Sequence, residues 1–114
     1  MVQVYGIKNC GSVKKALQFF DAHDIPYTFH DFKTSPVTEE TIARWARKSG
    51  ITPLFNTKGT SYRTLALKSL DLNDADKIEW MSRHNLLIKR PVVEKDGQLV
   101  VGFDPSQYEG IFLS

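Results

Sequence analysis

Cys10 is the one cysteine of this 114-residue chain and its strongest candidate for chemistry. Residues 2–5 alternate like a strand and residues from 12 on like a helix, so Cys10 falls at a strand-to-helix junction. The unpaired N–H groups and positive dipole end of a helix favour a thiolate, and Lys8 adds positive charge nearby. We therefore interpret Cys10 as a nucleophile; the alternative is a buried cysteine that acts as a small hydrophobe.

Two cations are candidate partners of this thiol. Lys58 lies in a loop where Gly59 allows the backbone to approach a ligand closely. Arg90 precedes Pro91, which restricts its backbone to extended geometry and so directs its side chain. Cys10, Lys58 and Arg90 could then line one positively charged cleft for an oxyanion or a glutathione carboxylate. The alternative for each cation is a solvated surface charge.

The periodicity of the first third predicts a strand, a helix and a second strand. The helix is expected over residues 12–23 with Ser12 as its N-cap, and the second strand around residues 27–32. A strand–helix–strand order implies a parallel pair of strands with a right-handed connection.

Residues 36–86 form a predicted helical block. Thr38 is expected to cap a helix that Gly50 ends, residues 52–60 have the composition of a loop, a short helix follows over 61–67, and another begins at Asn73 or Asp74. A hairpin with an Asp96-Gly97 turn and a helix over 105–112 complete the chain. This order predicts one α/β domain over residues 1–114, a thioredoxin-like mixed sheet with an inserted helical subdomain at about 36–86.

Composition and charge exclude several classes of partner. The net charge of +2 is too small to indicate nucleic-acid binding, and no apolar run is long enough to span a membrane. The beginning of the chain shows no secretory signal, so the reducing cytoplasm is the expected compartment. His23, His30 and His84 are too widely spaced for a common zinc site. With one cysteine, any resolving sulfur must come from another molecule.

Three separated segments, residues 5–16, 56–60 and 89–93, resemble the arsenate reductase/Spx family and are most similar to its YffB-like branch of thiol reductases. The resemblance implies a thioredoxin-like fold in which Cys10 is the nucleophile and glutathione resolves the adduct. It also implies that the Arg90–Pro91 peptide bond is cis. Lys58 matches a position usually held by arginine, with Asn56 as the alternative match, while Asn9 and Gly11 shape the loop around the sulfur.

This chain also departs from the family pattern. Gly6 stands where arsenate reductases carry a histidine, and Gly102-Phe103-Asp104 where they carry an arginine. Val13 stands where Spx regulators carry a second cysteine. The leading hypothesis is therefore a glutathione-dependent thiol oxidoreductase with no bound cofactor, with glutaredoxin as a further partner. The alternatives are a non-catalytic Spx-like protein that binds a protein partner and, with less support, an arsenate reductase.

Overall fold

The computed structural model describes residues 1–113, so Ser114, the last residue of the predicted domain, lies outside the described residues. The chain divides into a sheet unit, which comprises Met1–Asp31 and the segment from Arg90 onward, and a helical unit, Phe32–Lys89. The helical unit is thus inserted in the sequence between the two halves of the sheet unit. A single domain over residues 1–114 stays a prediction.

The elements of the described chain follow the predicted order of strands and helices. In chain order they are β1 (Val2–Gly6), α1 (Gly11–Ala22), β2 (Tyr27–Asp31), α2 (Glu39–Ser49), α3 (Ile51–Leu54), α4 (Thr60–Thr64), α5 (Asp74–Arg83), β3 (Val92–Lys95), β4 (Gln98–Val101) and α6 (Pro105–Phe112). Two short 3-10 turns, Leu67–Ser69 and Asn85–Leu87, flank α5. Among residues 1–113, no helix combines the length and the apolar character that a membrane crossing requires.

The sheet has the strand order β2-β1-β3-β4. β1 pairs with β2 in parallel and with β3 antiparallel, and β3 and β4 form the antiparallel hairpin. The turn residues Asp96 and Gly97 both have positive φ, 49° and 82°, as a type I′ turn requires. This topology confirms the predicted α/β, thioredoxin-like fold.

The core of the sheet unit lies where α1 and α6 pack against the sheet. Val4 alternates inward on β1, Phe20 comes from α1 and Tyr108 from α6, and all three are fully buried. Burying such a side chain contributes about 1.5–3 kcal/mol. The Tyr108 hydroxyl donates a 2.7 Å hydrogen bond to the carbonyl oxygen of Gly102, so its polar atom has a partner inside the core.

In the helical unit, some of the predicted helix boundaries are confirmed and others are wrong. Thr38 occupies the N-cap position of α2 without a side-chain cap hydrogen bond, and Gly50 ends the helix with a φ of 84°. Asn73 caps α5 in a reciprocal capping box with Asp76. The predicted loop over 52–60 is wrong in its first part, because residues 51–54 form the single helical turn α3. Pro53 is tolerated there since the first turn of a helix leaves its N–H groups unpaired anyway.

The predicted short helix over residues 61–67 is also shorter than expected. α4 begins at Thr60 and ends at Thr64, before Ala66 adopts a left-handed conformation with a φ of 54°. A left-handed residue cannot continue a right-handed helix, and the chain resumes in the 3-10 turn that starts at Leu67.

The end of β1 lies directly against the first turn of α1. A Cβ atom added to Gly6 would stand 2.7 Å from Cγ2 of Val13, a distance that real Cβ contacts do not reach. Val13 is fully buried, so it cannot turn its side chain out into solvent. Gly6 therefore lets strand and helix approach closely enough to hold the intervening loop, residues 7–10, in place.

We expect Gly6→Ala to lower the free energy of unfolding by roughly 1–3 kcal/mol, because the added methyl group overpacks the contact with Val13. Urea unfolding measures this loss. Gly110→Ala is the matched control: the site in α6 has no heavy atom within 4 Å of an added Cβ, and alanine there is expected to stabilise the helix by roughly 0.5–1 kcal/mol. If Gly6→Ala unfolds at the wild-type urea concentration, the close contact is not a constraint.

Candidate functional site

Cys10 is itself the N-cap of α1, so the expectation of Ser12 at that position was wrong. Its backbone is extended, with φ −142° and ψ 125°, and its carbonyl oxygen accepts a 2.9 Å hydrogen bond from the N–H of Lys14. These are the defining features of an N-cap. The helix begins at Gly11, which places the thiol next to the first unpaired N–H groups rather than two residues before the cap.

The environment of the Cys10 thiol lowers its pKa. Partial burial alone would raise the pKa, but three groups outweigh it: the backbone N–H of Val13, the guanidinium of Arg90 by hydrogen bonding and by charge, and the backbone N–H of Ser12. The thiol sulfur makes no short cap hydrogen bond to the helix, so the N–H groups of Val13 and Ser12 act as nearby dipoles that favour the anion. The thiolate fraction at neutral pH is therefore larger than for an ordinary cysteine.

The sheet register brings Arg90 to this thiol. In the antiparallel β1–β3 pair, Tyr5 lies opposite Val92. If this register continues for two more residues, past the end of β1 and before the start of β3, Arg90 comes beside the loop that leads from β1 to Cys10. Arg90 is half-buried, and its peptide bond to Pro91 is cis, as the family resemblance implied. The structure thus brings together the predicted nucleophile and one predicted cation.

Lys8, Asn9 and Gly11 flank Cys10 in the sequence. All three are exposed, and a Cβ added to Gly11 would meet no heavy atom within 4 Å. Packing therefore does not require glycine at position 11. The predicted anion-binding role of these residues stays a prediction.

Lys58 belongs to the helical unit, in the loop before α4. Its N–H donates to Oδ1 of Asn56 at 3.1 Å, and its carbonyl oxygen accepts from Nη1 of Arg63 at 3.1 Å. Asn56 in turn donates its backbone N–H to the carbonyl oxygen of Leu87 at 2.8 Å. Asn56 thus orders the loop, and Lys58 is the exposed cation that the loop presents.

Arg63 is a cation that the sequence analysis missed. Its guanidinium reaches back from α4 to the backbone carbonyl of Lys58, so a second positive residue borders this loop. The only sequence signal is an arginine one turn into the helix that follows the loop, a pattern also typical of a solvated surface. The cleft predicted to combine Lys58 with Cys10 and Arg90 stays a prediction.

No metal centre is indicated within residues 1–113, where no three His, Cys, Asp or Glu side chains cluster as ligands. The arrangement at Cys10 instead suits nucleophilic sulfur chemistry: a thiol with a lowered pKa, partly accessible, with a guanidinium beside it. A thioredoxin-like fold with such a thiol at the start of its first helix defines a class of thiol-based proteins.

Comparison with known proteins identifies the family within that class. The ArsC family model matches residues 5–111, and the chain belongs to the ArsC family. Among solved structures, a YffB protein superposes with a TM-score of 0.91 at 38% identity, over 96% of this chain and 97% of the other. An arsenate reductase-related protein from Brucella melitensis is 42% identical, with a TM-score of 0.76, over 97% of this chain and 93% of the other.

The family also contains regulators. The global transcriptional regulator Spx of Lactiplantibacillus plantarum is 25% identical to this chain, over 94% of this chain and 83% of the regulator. The relatives of this chain therefore include both reductase-like proteins and a transcriptional regulator. Similarity alone does not distinguish between these two activities.

Replacing Arg90 with glutamine should raise the pKa of Cys10, because the thiolate loses both a hydrogen bond and a positive charge. Iodoacetamide alkylation at neutral pH should then be slower than in the wild-type protein. Lys8→Gln removes the same charge from an exposed side chain near the thiol and serves as the matched control, with a smaller expected effect. Equal alkylation rates for Arg90→Gln and wild type would show that Arg90 does not stabilise the Cys10 thiolate.

Proposed function

We propose that this protein is a glutathione-dependent thiol oxidoreductase in which Cys10 is the only nucleophile. The observation that supports this most directly is the lowered pKa of a half-exposed thiol at a helix N-terminus with Arg90 beside it. A thiolate poised in this way attacks disulfides faster at neutral pH than an ordinary cysteine does. The reductase-like relatives support the same chemistry.

The proposed reaction is a pair of thiol–disulfide exchanges. The Cys10 thiolate attacks the glutathione sulfur of a glutathione-containing disulfide and forms a Cys10–glutathione disulfide. The other sulfur leaves as the substrate thiolate, which takes up a proton. A glutathione thiolate then attacks the glutathione sulfur of this adduct, which releases oxidised glutathione and returns Cys10 as a thiolate. Overall, the glutathione-containing disulfide and one free glutathione give the free thiol of the substrate and oxidised glutathione, and the proton of the attacking glutathione thiol ends on the substrate thiol. The second glutathione is needed because Cys10 is the one cysteine of the chain.

Arg90 and Lys58 are the proposed binding groups for the glutathione carboxylates. Arg90 is suited to this since a guanidinium can bind a carboxylate through two hydrogen bonds. Lys8, Asn9 and Gly11 would shape the approach to the sulfur. Glutathione is the proposed co-substrate and glutaredoxin a further proposed partner, and the cytoplasm, where a reducing thiol pool exists, is the proposed compartment.

Arsenate reduction is less well supported by the residues of this chain. Gly6 replaces the histidine of arsenate reductases, and a side chain there would collide with Val13. Asp104 is the N-cap of α6, and its carboxylate accepts a 3.0 Å hydrogen bond from the N–H of Ser106. The segment after β4 thus has a structural task and supplies a carboxylate instead of a guanidinium, which disfavours an arsenate dianion.

A second candidate function is regulation through a protein partner, which the similarity to Spx favours. In that case the surface, and not the thiol chemistry, would carry the activity. A Cys10→Ser variant would then keep its cellular effect, whereas the proposed oxidoreductase would lose it.

Exposure to oxidised glutathione should add one glutathione to Cys10, which intact-mass measurement detects directly. The adduct should disappear on addition of reduced glutathione, because the second exchange regenerates the thiol. Cys10→Ser is the blank, and Arg90→Gln should form the adduct more slowly since its thiolate fraction is smaller. A wild-type protein that forms no adduct from neutral to mildly alkaline pH would refute the oxidoreductase and favour the regulatory candidate.

A further inference from the structure

The helical unit contains a cavity of about 210 Å³ that the chemistry at Cys10 does not use. It lies between three parts of the unit: the segment that follows β2, the start of α4, and the C-terminal end of α5 with the residues after it. All of its lining residues belong to the helical unit, Phe32–Lys89. It is therefore a feature of that unit alone.

Asn85 keeps the walls of the cavity in place. Its side chain is buried, and Oδ1 accepts a 2.8 Å hydrogen bond from the N–H of Val37, in the segment that follows β2. Its Nδ2 donates to the carbonyl oxygens of Met81 at 2.8 Å and Ser82 at 3.4 Å, at the end of α5. One amide thus connects two walls, and the cavity is formed before any ligand arrives.

The charged residues that line the cavity are all basic. Lys33 and Arg83 contribute to its walls, and no Asp or Glu is among its lining residues. The carbonyl groups at the end of α5 would repel an anion, but the Asn85 amide already donates to two of them. The formal charge of the lining residues is therefore positive, and Glu79, which pairs with Arg83, lies outside the lining.

Arg83 can change partner at little cost. Its guanidinium pairs with Glu79 at 2.6 Å, but the two side chains are 68% and 49% exposed and stand one helical turn apart. Exposed pairs of this kind contribute little to stability, since water and salt screen them. A carboxylate in the cavity would compete for the same guanidinium and would be shielded from solvent on one side.

The remaining walls are partly apolar. Phe32 is buried and forms part of the lining together with Pro36 and Leu86. Leu86 is one of the few exposed large hydrophobic residues of the described chain, at 37%. A cavity of roughly 150 Å³ accommodates a benzene molecule, so a space of this size can hold one ring or a short branched chain.

We propose that this cavity binds a small organic anion, a carboxylate on a compact apolar body. The apolar body lies against Phe32, and the carboxylate faces Lys33 and Arg83. The hydroxyl groups of Ser61 and Ser82 supply additional polar contacts at the wall. This site is independent of the proposed thiol chemistry, since none of its residues takes part in it.

The proposal is tested by titrating the full chain with benzoate at constant ionic strength. Binding is monitored through the backbone amide shifts in nitrogen–proton correlation spectra. We expect saturable shifts at Lys33, Ser61 and the residues from Arg83 to Leu86. Benzyl alcohol has the same ring without the charge and should bind several-fold more weakly, because it loses the charge-assisted hydrogen bonds. The affinity for benzoate should fall roughly fivefold or more in Arg83→Gln, which removes one of those bonds.

Lys68→Gln is the matched control, since it removes an exposed positive charge from the same unit outside the cavity lining. It should bind benzoate like the wild type. The proposal fails if benzoate produces no saturable shifts, if benzyl alcohol binds equally well, or if Lys68→Gln weakens binding as much as Arg83→Gln. Formation of the Cys10–glutathione adduct does not depend on any of these results, so the two proposals fail separately.

Discussion

The missing side chain at Gly6 lets the end of β1 lie directly against Val13, and the geometry around the thiol depends on that contact. Because a Cβ at position 6 would stand 2.7 Å from Cγ2 of Val13, any other residue there would push strand and helix apart or displace Val13. The short loop after β1 then places Cys10, and no later residue, at the start of α1. From there the register of β3 on β1 brings Arg90 to the sulfur.

Helix α1 and Arg90 contribute in different ways to the stability of the Cys10 thiolate. The helix supplies N–H dipoles that the backbone fixes in direction, and Arg90 supplies a full charge that is held just before β3. Both act against the cost of partial burial. Since the chain has one cysteine, this arrangement suits exchange with an external thiol and excludes an internal disulfide switch.

Much of the fold could be predicted because local chemistry sets it. The Asp96–Gly97 turn and the Asp104 cap with Pro105 fix the hairpin and the last helix, and both have the predicted bounds. The N-cap could not be predicted in the same way, because serine is a favoured capping residue and cysteine is not. Contacts between distant residues, such as that of the Arg90 guanidinium with the Cys10 thiol, depend on sheet register and leave no local pattern.

The fold stabilises the Cys10 thiolate, and a pH titration of the ultraviolet absorbance of the thiolate measures this stabilisation. Cys10→Ser supplies the baseline, because it removes the only thiol of the chain. The midpoint should lie below the value of about 8.5 that is usual for cysteine. A midpoint at or above that value would show that burial outweighs Arg90 and the helix N–H groups, and that the fold does not stabilise the thiolate.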